Sequence, residues 1–167
     1  STVRDYDNKL IGVAYAYIAD LKRIFFNEWS HKHCYAKKQF DDYRYDFDEF
    51  NDIFVSYFKK EEQIIIKPDA EFICWNCTAL DKACRGINII KMLHKLFSLI
   101  HDRNAFIPRF LLMEVSPGGK VYDLCIHFKA KEIPGLLKNG SIFLYFHFDS
   151  LMNSISDMKR RLDSIGR

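Results

Sequence analysis

The amino-acid sequence predicts an α+β fold: an antiparallel sheet of about three to five strands, packed on one face by helices. Two helices are expected at the N-terminal end and one at the C-terminal end. Three observations predict this. Apolar residues recur at helical spacing in the first sixty positions, short β-rich runs separated by turn residues fill 110–148, and an amphipathic stretch follows from 149. The 167 residues fit one domain, 1–167, better than two. Hydrophobic residues make up 49% of the chain and include 15 Phe, 9 Tyr and 2 Trp. Aromatic side chains bury a large area each, so a sizeable core is available. With only 7 Gly and 4 Pro, the composition is not that of a disordered chain.

The first helix is expected from Leu10, Val13, Ala14, Tyr17, Leu21, Ile24 and Phe25, with Asp5 or Asp7 as its cap. A second starts near Gln39. There Phe40, Tyr43, Phe47, Phe50, Phe54, Tyr57 and Phe58 form an aromatic stripe opposite Asp41, Asp48 and Asp52, which reads as a core face and a solvated face. Ile64–Ile66 and Glu71–Ile73 are short strand candidates broken by Pro68-Asp69. Thr78 to Asp81 resembles a capping box that opens a helix to about His101, with Ile87, Ile90, Leu93, Phe97 and Ile100 on its apolar face. Phe110–Val115 and Val121–Lys129 flank Ser116-Pro117-Gly118-Gly119 and read as a hairpin. Gly135 and Asn139-Gly140 mark a connection to a third strand, Ser141–Phe148. Asp149-Ser150 then caps a final helix with the stripe Leu151, Ile155, Met158, Leu162 and Ile165.

No apolar run approaches the ~20 residues of a membrane helix, and no basic–apolar–small leader opens the chain. An intracellular, cytoplasmic location without membrane insertion is expected. A first residue Ser1 rather than Met suits a domain excised from a longer protein. A net charge of +3 is too small to imply nucleic acid by itself. Basic residues gather at Lys32, Lys37 and Lys38 and at Lys159, Arg160, Arg161 and Arg167. The acidic stretch 41–52 beside the first group argues against a phosphate-binding surface. The five cysteines are not a disulfide framework, so free thiols or metal ligands are expected.

The most informative chemistry is a cysteine–histidine set. Cys74-Trp75-Asn76-Cys77 is a C-x-x-C pair, and His31, His33 and Cys34 are three further ligand types in four positions. Zinc takes four soft or borderline ligands, usually as two close pairs from separate segments. Cys74 and Cys77 with a pair from His31, His33 and Cys34 are therefore the candidate metal ligands, and zinc the candidate cofactor. Cys84 follows at some distance, and buried free cysteine is ordinary. A strand, the C-x-x-C at Cys74–Cys77 and a following helix also resemble the thioredoxin-like arrangement, and Ile133-Pro134 is similar to that family's cis-proline loop. The resemblance implies thiol redox chemistry at Cys74 and Cys77. It covers only these residues. The upstream chain reads as helices, not βαβ, and Trp75-Asn76 is not the family's usual pair.

Strict alternation over 121–129 places Asp123, Cys125 and His127 on one face of a strand, where Tyr145 and His147 of the next strand could join them. The plain reading of that face is half-solvated surface. No nucleotide loop or complete catalytic constellation is present. The expectation is a non-enzymatic protein-interaction or adaptor domain, zinc-stabilised, of the kind found among viral or bacterial accessory proteins, with another protein as partner. The alternatives are a metal- or thiol-dependent enzyme or sensor using the Cys/His set, and a nucleic-acid-binding module.

Overall fold

The structure, a computed structural model, describes residues 2–4, 10–26, 44–80, 87–137 and 140–165. Its elements run β1 (Thr2–Arg4), β2 (Leu10–Asp20), α1 (Leu21–Phe26), α2 (Phe47–Glu61), β3 (Glu71–Leu80), α3 (Ile87–Arg103), β4 (Phe110–Val115), α4 (Lys120–His127), β5 (Lys131–Ile133), β6 (Ile142–His147) and α5 (Phe148–Ile165). The six strands form one sheet in the order β1-β2-β3-β4-β6-β5. All neighbours are antiparallel except β3 and β4, which are parallel.

The α+β class holds, but the sheet is mixed rather than antiparallel. Helices cover both faces. One face carries α3, α4 and α5 through Leu93, Phe97, Cys125, Phe128, Leu151 and Ile155. The other carries α1 and α2 through Phe25, Phe50, Phe54 and Phe58. Strands buried on both sides lose the apolar–polar alternation that would have revealed them. β4 shows this, with Phe110 and Leu112 in one core and Leu111, Met113 and Val115 in the other.

Two elements change type. Leu10–Asp20 is a strand, not the first helix; its apolar residues serve both faces, and their helical spacing is incidental. Lys120–His127 is an eight-residue helix, not the second arm of a hairpin. Ser116-Pro117-Gly118-Gly119 does turn the chain, with Gly118 at φ +74°, a left-handed value that suits glycine. Gly119 then becomes the N-cap of α4. Ile64–Ile66 forms no strand, while Glu71 begins a strand that runs through the whole C-x-x-C segment.

The aromatic stripe of α2 packs as expected. Asp46 caps the helix by accepting the Glu49 amide at 3.0 Å. Phe50, Phe54 and Phe58 are fully buried, and Asp48 and Asp52 are exposed. Phe40, Tyr43 and Asp41 lie outside the described residues. The stripe ends in an aromatic layer, with Phe58 stacked on Phe54 at 4.8 Å and edge-on to Phe110 at 4.9 Å.

Candidate functional site

β3 and β4 share a parallel ladder at two registers only, Ile73 with Leu111 and Cys74 with Leu112. β3 then runs on to Leu80 and β4 to Val115. The cause lies one strand away. Against β2, β3 keeps step as far as Ala16–Trp75 and then slips, so that Tyr15 faces Cys77 and Asn76 is the extra residue. Such a bulge bends its strand and sharpens the local twist. Beyond Cys74, β3 stays with β2 while β4 stays with β6 through Val115. Beyond Cys74 and Leu112 the two parallel strands no longer pair, and this unpaired stretch at their carboxyl ends, the wedge, is where open α/β sheets commonly take ligands.

Two helix starts follow the strands at this end. The first turn of α3 holds no acidic residue. α4 starts behind Gly119, whose missing side chain offers no cap. First-turn amides have no partner inside their own helix and sit at the positive end of the helix dipole, which suits an anion such as phosphate.

One row of paired residues crosses five strands on the α1/α2 face: Tyr17, Cys74, Leu112, Tyr145 and Lys131. A step nearer the mouth stand Tyr15 on β2 and Glu114 on β4. The Tyr15 and Tyr17 rings are 5.8 Å apart. Burial, then the neighbouring Cys74, raises the pKa of the Tyr15 hydroxyl. Glu114 pairs with Phe143 and is half-buried in a strand whose other residues are all buried. The sequence reading passed over Glu114, although a lone carboxylate in Phe-Leu-Leu-Met-Glu-Val was a usable signal. Across the sheet, Trp75 is buried edge-on to Phe97 at 5.6 Å.

The cysteine–histidine set does not assemble among the described residues. His31, His33, Cys34 and Cys84 lie outside them, as does the side chain of Cys77. Cys74 sits within β3, so the strand–turn–helix order of the thioredoxin-like reading is absent. Burial pushes the Cys74 thiol up to about 12, against a hydrogen bond with Tyr17 and with a further rise from Asp20. Cys125 does not share a strand face with His127; it is buried under α4, its Sγ 3.3 Å from Met113 Sδ, and burial pushes it up to about 12 as well. Burial thus favours the thiol form of both at neutral pH. Tyr145 and His147 meet α2, not Asp123. Among the described residues no group of three or more His, Cys, Asp or Glu is placed to hold a metal. The zinc expectation is corrected on that finding, while the candidate ligands His31, His33, Cys34 and the side chain of Cys77 lie outside the described residues. Among the described residues no helix is long and apolar enough to cross a membrane.

No family model matches the chain, and no curated protein matches it. Solved structures do. An apo agmatine N-acetyltransferase is 8% identical, with 85% of this chain and 73% of that chain covered at a TM-score of 0.47. A polyamine N-acetyltransferase of Drosophila melanogaster, which forms N-acetylagmatine, is also 8% identical, with 85% and 71% covered at a TM-score of 0.46. Both are named as acetyltransferases; the expectation of a non-enzymatic adaptor, which rested on missing motifs, is withdrawn. At this level of likeness no residue role passes from them to this chain.

Proposed function

We propose that the wedge between β3 and β4 holds an acyl-coenzyme A-type thioester and that the chain is an acyltransferase. The observation that carries this reading is the parallel pair that comes apart after Cys74 and Leu112. A diverging strand pair can take an extended ligand with amide groups as a short additional strand. A diphosphate on the same ligand would suit the start of α3, where no carboxylate competes. Coenzyme A carries both: an arm with two amides, and a diphosphate. The residues present therefore fit the group. β3 and β4 would hold the arm, and the starts of α3 and α4 the charged end.

When bound, such a cofactor supplies an activated acyl group; the chain supplies position and proton handling. Glu114, half-buried on β4, is the group assigned to take a proton from the acceptor. Amines are the first acceptors to test, being the class on which the two acetyltransferases act. Residues 1–167 are read as one domain working inside a cell, a reading supported by Cys74 and Cys125 being free thiols.

Calorimetric titration with acetyl-coenzyme A tests the proposal. Saturable binding that weakens with added salt is the expected result. No heat and no rise in Tm at about 1 mM, the upper end of ordinary KM values, would sink it. With an amine acceptor, Glu114→Gln should keep the binding and lower turnover about 10²-fold or more.

A further inference from the structure

On β5 and β6, from the paired row of Cys74 and Leu112 back toward the start of β4, the C-cap of α2 is tied to the sheet by charge. Glu62 is the C-cap of α2, its amide donating to Phe58 O at 2.9 Å. Only 7% of its side chain is exposed. Lys131 Nζ on β5 lies 2.5 Å from Oε1, and the Tyr145 hydroxyl on β6 donates to the same oxygen at 2.6 Å. His147 Nε2, also on β6, lies 2.8 Å from Oε2. Beside them the Tyr57 hydroxyl of α2 donates to Glu132 O on β5. Directly after the carboxylate the chain turns away, with Gln63 at φ +55°. Apart from Tyr57, the polar contacts from this end of α2 to the sheet pass through one carboxylate, beside the ring packing of Phe58 on Phe72, Phe110 and Tyr145.

We propose that Glu62 is an acid-released latch: its ionised carboxylate holds the C-terminal turns of α2 on β5 and β6, and protonation lets that end of the helix open while α3 stays closed. A carboxylate accepts from Lys131, Tyr145 and His147 at once. A carboxylic acid keeps fewer acceptor sites, carries no charge for Lys131, and adds a donor where three donors already point. The other titratable groups facing the cluster are Tyr57 and Glu61 from α2, Lys131 and Glu132 from β5, and Tyr145 and His147 from β6; Arg109 enters from the start of β4, its guanidinium over the Phe110 ring that touches His147. Burial acting alone would raise the pKa of Glu62; the hydrogen bonds from Lys131 and Tyr145 and the charges of His147 and Lys131 outweigh it and hold the group below its usual value. The sign follows. A depressed folded pKa gives a hold that is complete above the ordinary glutamate range and is lost as pH falls below it.

Hydrogen exchange on the full chain, corrected for intrinsic rates, is the test. From pH 6 to pH 3, protection of amides 54–62 should fall at least about tenfold relative to those of α3. Glu62→Gln should already show the acid level at pH 6 and change little below it. Parallel loss in α2 and α3, or a Glu62→Gln protein that matches wild type at pH 6, would overturn the latch. Should that variant not fold, Lys131→Met removes only the half-exposed arm. Release should then occur about one pH unit higher, and an unchanged release pH overturns the proposal equally.

Discussion

Where β3 and β4 enter the sheet, an aromatic layer fills the face under α2. Phe58 lies against Phe54, Phe72, Phe110 and Tyr145, and the Glu62 carboxylate gathers three donors from two strands. Where the same strands leave, one extra residue in β3 has parted them, and a half-buried carboxylate and two helix starts stand around the gap. Aromatic packing is concentrated in the first region, and the polar groups of the proposed site in the second. The division has a physical basis. An aromatic layer excludes water and gains from each contact it completes, whereas a ligand site places a few polar groups in an otherwise apolar lining.

This contrast can be broken from either side. Phe58→Ala empties the centre of the aromatic end and should cost about 3–5 kcal/mol in urea unfolding. The affinity for acetyl-coenzyme A per folded molecule should not change; a loss of affinity as large as the loss of stability would mean that the two ends are not separate. Deleting Asn76 removes the bulge. β3 should then keep step with β2 and run on beside β4, closing the wedge. Affinity for acetyl-coenzyme A should fall at least tenfold, about 1.4 kcal/mol, with stability kept or raised. Unchanged affinity would place the ligand elsewhere. The smallest effect concerns the thiols. With both pushed up to about 12, roughly 10⁻⁴ of Cys74 and of Cys125 is ionised at pH 8. Peptide mapping after brief iodoacetamide treatment should find both unmodified in the folded chain and modified in urea. Fast labelling of Cys74 when folded would show that β3 is not buried as described.

The aromatic end was largely legible in the sequence, and the wedge was not. The helical recurrence of Phe50, Phe54 and Phe58, the run Phe110–Val115 and the final amphipathic helix all appear in the structure, because one strong pattern determines each. The wedge depends on a register slip between two strands, and one of them, Leu10–Asp20, mimics a helix in its apolar spacing. Val121–Lys129 misled in the opposite way. Its alternation is that of a strand, yet Gly119 starts a helix that buries Cys125 and leaves Val121 and Ile126 exposed. Asn76, between the cysteines of the C-x-x-C motif, is the bulged residue, a register slip that no sequence pattern announces.

The anchoring of α2 bears on how the chain folds. Its stripe is local, but its polar tethers come from the last third of the sequence. Arg44, just before the helix, donates from Nε to Leu137 O across 93 positions, and Glu62 reaches Lys131 across 69. Long closures of this kind slow folding. During synthesis, the aromatic face of α2 has no completed surface to dock on until residues 131–147 have emerged, so the most hydrophobic helix face of the N-terminal half must wait for the C-terminal half, exposed to aggregation in the interval.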